Sequence, residues 1–527
     1  MSRPMRWTIT TLYSATAMLA STACARSSTQ QSIEPRRPEP VAPAMMPVAE
    51  VPAPTVKQQL QHTVDSIVSA PMWRNARLGI LVVDPETGDT LVSHDADRLF
   101  MPASNQKLLT GAIATTVLGP DYRWRTPVLL HGVQRGSTWR GNVYLQGSGD
   151  PSISDALRGG RAQSAFDEAL AALRARGIRR ITGRILPFGD ALPGLTTGYG
   201  WAYDDFDAAY SAAIDELMFN EGELYVTVRA GRTIGAAVSA STTPTLRYPA
   251  LRIEATTRDS AAAAGASRPP RLQAAYDSVG HTLVLTGTLA LGDSARLTVA
   301  YRHPADAFVA AFGESLAAER IVVQGKSLAR RDTSTRALDT LAVIVSPSFA
   351  DVLKRMEKPS QNQMAELFFR TVALQATGSG SADSAQAIGT RTLASWGITA
   401  ADVAYRDGSG LSRHDYLTPR AVVQVLDVMR RSPHYALFRD ALPIAGVDGT
   451  IRSRMRGTPA EGNVRAKTGT LDKTRSLSGY VTTANGRVLL FSMLANNFTT
   501  PNREVERVQD LIASFLAGST LASGGGK

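Results

Sequence analysis

"FMPASNQKLLTGA", residues 100–112, is the stretch on which the reading of this chain turns. Pro102 cannot extend a preceding helix, and Leu108, Leu109, Ala112 and Ile113 recur at helical spacing, so a helix is predicted to start near Ser104. Lys107 then lies one turn on, on roughly the same face. Alone, the stretch reads two ways. Serine is a favoured helix cap, and a first-turn lysine is ordinary at a surface. Equally, a hydroxyl beside an amine is a nucleophile beside its base.

Two distant motifs separate these readings. Ser360-Gln361-Asn362 and Lys467-Thr468-Gly469-Thr470 follow in order. The chain has eight lysines against 49 arginines. On that composition a chance S-x-x-K is expected about 0.6 times and a chance K-T-G about 0.05 times. The ordered set is far rarer than any member, and S-x-x-K, S-D-N and K-T-G together mark penicillin-binding proteins and class A β-lactamases. Gln361 stands where that pattern has Asp, leaving the flanking Ser and Asn intact.

The residue types suit acyl transfer. A serine hydroxyl is a weak nucleophile until a base takes its proton, and a lysine buried beside another cation can be neutral enough to do so. That assigns Ser104 as nucleophile and Lys107 as base. Ser360 can bridge Lys107 and Lys467 as a proton relay to the leaving amine, and Asn362 can hold the substrate amide and Lys107. Lys467, Thr468 and Thr470 offer a cation and hydroxyls to a substrate carboxylate, while Gly469 admits a second backbone. The backbone N–H groups of Ser104 and Thr470 would form an oxyanion hole. No G-x-S-x-G elbow of a Ser-His-Asp hydrolase is present. No metal-ligand spacing appears and no cofactor is implied.

Further stretches make the resemblance specific: "GSGDPSIS" (147–154), "GWAYDDFDAAYSAAIDEL" (200–217), "KPSQNQMAELFFR" (358–370), "DGSGLSRHDYLTP" (407–419), "LPIAGVDGTIRSRM" (442–455) and "VRAKTGTLDKTRSLSGYV" (464–481). From about 75 to 500 the chain resembles the low-molecular-mass penicillin-binding proteins of the D-alanyl-D-alanine carboxypeptidase/endopeptidase type. The resemblance implies an α/β (α+β), β-lactamase-like transpeptidase domain, made of both chain ends and carrying inserted β-rich domains. It implies the roles given above for Ser104, Lys107, Ser360, Asn362 and Lys467. It also implies peptidoglycan stem peptides as substrate and β-lactams as covalent inhibitors. In this family an acidic residue of the insertion reaches the mouth of the site. Asp205 in "WAYDDFDAAYS" is the matching candidate, with Tyr210 as an aromatic wall; Asp204 and Asp207 offer the same chemistry nearby. Asp407 and Ser409 are expected to shape a loop beside the site. Two other functions remain open: a β-lactamase, for which no deacylating Glu motif is evident, and a silent peptidoglycan-binding scaffold.

Working outward, 527 residues suggest several domains, and 43% hydrophobic with 20% charged residues describes a chain that buries large cores. The net charge of +11 is carried by scattered arginines. Without a basic block or interleaved aromatics, nucleic-acid binding is not expected. Residues 1–25 have the order of an export signal: Arg3 and Arg6, an apolar stretch from Trp7 to Leu19, then "ASTACARS". "STAC" reads either as a lipobox, which would anchor the chain to a membrane through lipidated Cys24, or as ordinary cleavage after Ala25. Cys24 is the only cysteine, so no intrachain disulfide can form. An exported, periplasmic location follows from this reading; the oligomeric state does not. Residues 26–56, rich in Pro, Ser, Gln and Ala, read as a tether, and 518–527 as a loose tail. Residues 57–126 and 341–517 are assigned to the transpeptidase-like domain and 127–340 to the insertion. Strands are expected in "LGILVVDPETGDTLVSHD", in "GNVRAKTGTL", "RSLSGYVTTA" and "RVLLFSMLAN", and in "NVYLQG", "RITGRILPFG", "ELYVTVRAG" and "HTLVLTGTLAL" of the insertion.

Overall fold

The structure is a computed structural model describing residues 54–260, 270–326, 331–334 and 338–521. The export signal, Cys24 and most of the tether lie outside the described residues.

Both chain ends build one antiparallel sheet. Its five strands run in the order Arg465–Leu471, Thr474–Thr482, Val488–Asn496, Arg77–Val83, Thr90–His94. Ile80 faces Met493 across the join between the ends. Because side chains alternate across a strand, each strand feeds two cores. Ile80, Val82, Leu489 and Phe491 pack under the helices Val56–Val68 and Asn502–Gly518. Leu81, Tyr480 and Leu490 face the other way, onto the helices Gln106–Leu118, Phe349–Glu357, Asn362–Thr377 and Pro419–Arg431. Covered on both faces, Val488–Asn496 reads as an almost unbroken apolar run rather than an alternating one. The helix Gln106–Leu118 is buried from Gln106 through Thr115, as a helix inside a core must be.

The middle of the chain has its own continuous core. The strands Arg125–Arg135 and Asp339–Val345 pair antiparallel, Ile344 opposite Thr126, so the expected boundaries at 126/127 and 340/341 run through one strand pair. The texture is not purely β. Asp167–Ala175 and Pro304–Ala318 are helices, and Phe308 and Phe312 from the second close on Phe166. "HTLVLTGTLAL" is two strands, Thr282–Thr286 and Thr288–Ala290, in different sheets. Gly287 between them has φ +93°, which ends a pleated run that residue types alone would continue.

Two ends also differ from their composition. Thr55 caps the first helix, which starts at Val56 inside the expected tether. Past Gly518, Leu521 is buried and its carbonyl accepts from Asn485 Nδ2.

Candidate active site

Ser104 sits in a single 3₁₀ turn, Ala103–Asn105, that leads into the helix Gln106–Leu118. It does not cap that helix: Asn105 holds the cap position and makes no side-chain cap hydrogen bond. The turn is held by its neighbours instead. Ser476 Oγ donates to the Pro102 carbonyl at 2.7 Å, and Asn105 Nδ2 donates to the Lys467 carbonyl at 2.8 Å. Ala103 adopts φ +48°, a left-handed conformation that costs energy for a residue with a Cβ.

Two glycines make this approach geometrically feasible. A Cβ on Gly469 would lie 2.5 Å from the Pro102 carbonyl oxygen and 3.0 Å from the Ser104 nitrogen. One on Gly410 would lie 1.9 Å from the Ala103 carbonyl oxygen. The Lys467 strand and the 407–412 loop thus clamp the Ser104 turn from two sides.

Lys107 is fully buried. Its Nζ lies 2.6 Å from Asn362 Oδ1, 2.6 Å from the Ser409 carbonyl and 3.0 Å from Ser104 Oγ. The first two partners can only accept, whereas the hydroxyl can donate or accept. A neutral amine fits this set: it donates twice and turns its lone pair on the Ser104 proton. Burial, then the charge of Lys467, pushes Lys107 down to about 7 from its usual 10.5. An amine beside a serine becomes a base on those terms.

The second motif opens the helix Asn362–Thr377. Gln361, at the position where the motif otherwise has Asp, caps that helix: its Oε1 accepts from the Gln363 and Met364 N–H groups. Ser360 is held at φ +68°, and its Oγ accepts from Lys467 Nζ at 2.7 Å. The expected Lys107–Ser360–Lys467 bridge is half made. Lys107 spends its three contacts on Ser104, Asn362 and Ser409, so Ser360 bonds Lys467 without bonding Lys107. Asn362 joins Lys107 to the insertion, because its Nδ2 donates to the Tyr210 carbonyl at 2.7 Å.

Lys467 is also fully buried, and burial lowers its pKa. Thr468 Oγ1 donates to Thr450 Oγ1 at 2.7 Å, while Thr470 faces the cleft.

The loop Asp407–Ser412 aims the carbonyl that Lys107 uses. Asp407 accepts from the N–H groups of Ser409, Gly410 and Ser412 and from Trp201 Nε1. Glu366 Oε1 accepts from Gly408 N and Ser409 N at 3.0 and 2.8 Å. This agrees with a shaping role for Asp407. Glu366 was legible only as a helix residue, although its place four residues after Asn362 sets it on the same face.

The cleft above these groups has a volume of about 490 Å³. Ser104, Ser360, Asn362 and Thr470 lie along it, with Asp205, Tyr210 and Arg413 at its edges. Asp205 is half-buried and accepts from the Tyr210 hydroxyl at 2.5 Å. Arg413 brings the opposite charge to the same cleft; its only sequence signal is its place in "DGSGLSR". A larger cleft of about 970 Å³ lies in the insertion beside Tyr248, His281, His303 and Asp306, and no motif residue reaches it. Glu357, which no motif points to, is fully buried, and the charges of both motif lysines reach it. Among the described residues no three His, Cys, Asp or Glu side chains converge as a metal site requires.

The sequence pattern of the D-Ala-D-Ala carboxypeptidase 3 (S13) family matches residues 60–518. A D-alanyl-D-alanine carboxypeptidase of Actinomadura sp. is 30% identical, covering 87% of this chain and 84% of that protein. The D-alanyl-D-alanine carboxypeptidase DacB of Haemophilus influenzae is 26% identical, over 84% and 89% of the two chains. The crystal structure of penicillin binding protein 4 from H. influenzae shares the fold, with a TM-score of 0.72 at 23% identity over 86% of this chain and 98% of its own.

Proposed function

The chain belongs to the D-Ala-D-Ala carboxypeptidase 3 (S13) family, a serine-type peptidase, and from that premise we propose that it cleaves D-alanyl-D-alanine ends of peptidoglycan stem peptides through an acyl-enzyme on Ser104. The observation that carries this assignment is the contact set of Lys107, two obligate acceptors and the Ser104 hydroxyl, which suits a neutral amine.

The steps balance as follows. Lys107 Nζ takes the Ser104 proton as Oγ bonds the carbonyl carbon of the penultimate D-alanine. The N–H groups of Ser104 and Thr470, at the crossing that Gly469 permits, hold the oxyanion. As the C–N bond breaks, the Ser360 hydroxyl gives its proton to the leaving amine and takes one from Lys467, to which it is bonded. Deacylation reverses the roles. Water attacks the ester and passes its proton through Ser360 to Lys467, and Lys107 returns its proton to Ser104 Oγ. Both lysines end as they began. Before the bond breaks, Lys467, Thr468 and Thr470 hold the substrate's terminal carboxylate, and Asn362 orients its amide. Asp205, with Tyr210 beside it, meets a polar side-chain end of the stem peptide at the mouth.

β-Lactams present the same acyl group and enter at the same serine as covalent inhibitors; a structure of the H. influenzae protein with a bound β-lactam superposes with a TM-score of 0.70. The wall substrate sets the place of action outside the cytoplasm, and residues 1–25 are the proposed export signal. Among the described residues no helix is long and apolar enough to cross a membrane. Lipidated Cys24 is the proposed point of membrane attachment.

Mass spectrometry of the exported protein after penicillin treatment tests the assignment. The expected result is one adduct on Ser104 that is absent from Ser104→Ala; an adduct elsewhere overturns the mechanism. The same spectrum reads the mature N-terminus, either a lipid on Cys24 or a start after Ala25. A penicilloyl ester that turns over in milliseconds would favour the β-lactamase instead.

A further inference from the structure

Resting on the Ser104 reading, we propose that Glu357 is a positioning residue for the reaction, a buried counter-anion that keeps one positive charge on the Lys107–Lys467 pair. Glu357 ends the helix Phe349–Glu357, three residues before Ser360, and is 0% exposed. Neither carboxylate oxygen has a hydrogen-bond partner among the described residues. A dry, unbonded carboxylate is costly unless charge of the opposite sign answers it. Its carboxylate lies against Gly111, one turn from Lys107, and Ser360, three residues on, accepts from Lys467 Nζ, so the two motif lysines are the cations whose charge reaches it.

The fold makes room for it. A Cβ on Gly111, one turn beyond Lys107, would lie 2.9 Å from Glu357 Oε1, with Leu353 next at 3.3 Å. Lys107, Lys467 and Glu357 come from three elements and are all 0% exposed. The bonds of Lys107 suit a neutral amine, so within this trio the charges close at zero when Lys467 is an ammonium and Glu357 a carboxylate. Without the carboxylate a lone ammonium would sit in the core, and burial would drive its proton off. That proton is the one Ser360 needs.

The other charges near Glu357 are already answered. Lys358 is paired with Asp448 at 2.7 Å, Arg355 with Glu221 at 2.7 Å, and Arg439 of the adjacent helix Tyr435–Ala441 with Asp440 at 2.9 Å; Lys354 is exposed. Glu366 and Asp407 act on Lys107 from the loop side. Burial outweighs the two lysines and lifts the Glu357 carboxyl to about 7, so its charge is complete only above that pH, where it raises both lysines against their own burial.

The test is the pH profile of kcat/KM for D-alanine release and of penicillin acylation, in full-length Glu357→Gln. The acid limb reports loss of the Lys107 proton and the alkaline limb loss of the Lys467 proton. Removing the anion favours deprotonation of both, so both limbs are expected about one pH unit lower, with the rate at pH 9 down about tenfold. Glu357→Asp, which keeps the charge, should keep the limbs. Gly111→Ala keeps the glutamate but puts a methyl group 2.9 Å from its Oε1, displacing the carboxylate, and should move both limbs the same way. Limbs unmoved in Glu357→Gln overturn the proposal, whatever the fall in rate. Should that variant not fold, unmoved limbs in Gly111→Ala overturn it and displaced limbs support it. The wild-type Ser104 adduct, run alongside, separates the two readings: its absence sinks the acyl-enzyme, whereas its presence with unmoved limbs sinks only the role of Glu357.

Discussion

Between residues 128 and 344 the core is aromatic and aliphatic: Phe166 meets Phe308 and Phe312 edge-on, each at 5.3 Å. Beneath the cleft the comparable space holds Lys107, Lys467, Glu357, Glu366 and Asp407, all buried. The first region gains stability from every side chain it encloses. The second encloses charged groups, whose burial opposes folding unless each is answered by another. Ala103 and Ser360 add left-handed backbone in the same place. The insertion also buries Glu216 and Glu221 and holds Asn220, Glu221 and Arg320 left-handed. There, however, arginines answer the two carboxylates, Arg331 for Glu216 and Arg355 for Glu221. Beneath the cleft, strain and buried charge lie where a hydroxyl is to be made reactive.

The widest separation between the regions is expected from Lys107→Met. Methionine fills the space without the amine, so acylation by penicillin should fall by at least about 10³-fold. The melting temperature should hold or rise, because a buried amine has been removed. A lower melting point with acylation retained would break the contrast. The wild-type profile sharpens it. Lys107 is held at about 7 in the fold against 10.5 unfolded, so acylation should climb as pH rises through about 7. Between those two values the folded chain binds fewer protons than the unfolded one, so this lysine's contribution makes stability rise with pH across that window. Denaturant titrations at pH 7 and 9.5 should show the slope in wild type and a weaker one in Lys107→Met.

Phe308→Ala probes the other region. Emptying a site packed on Phe166 should cost about 3–5 kcal/mol of unfolding free energy, read by denaturant melts. The acylation rate per folded molecule should stay as it was. A rate that falls in step with stability would mean the two regions are not separable. Gly469→Ala should show a smaller loss of the opposite kind. Its methyl group would meet the Pro102 carbonyl at 2.5 Å and lift the strand from the Ser104 turn, slowing acylation about 10²-fold with little change in melting.

The same division governs what the sequence disclosed. The gathering of Ser104, Lys107, Ser360, Asn362 and Lys467 in one place could be read because each residue type stands at a fixed offset within a short motif, and the three motifs keep their order. The strands of the central sheet were visible from runs such as "RVLLFSMLAN". Glu357 was not visible, since its meaning lies in what the fold brings against it and not in its neighbours along the chain. Nor was the missing Lys107–Ser360 bond, which depends on where the Ser409 carbonyl points. In the insertion, the helices Asp167–Ala175 and Pro304–Ala318 went unread between stronger strand signals, and Gly287 split what looked like one strand.

The smallest effect is expected where the two regions meet. Asp205 belongs to the insertion but lines the cleft of the Ser104 turn, half-buried and bonded to Tyr210. A carboxylate at a wet rim holds an ammonium by less than about 1 kcal/mol. Asp205→Asn should therefore raise KM about two- to fivefold for stem peptides ending in a free side-chain amine. The same peptides with that amine acetylated should be cleaved equally by both proteins, and penicillin, which carries no such amine, should acylate both at one rate. If acetylation makes no difference, the acid is only Tyr210's partner. If penicillin acylation falls as well, Asp205 acts on the reacting groups, and the insertion does more at this site than receive the side chain.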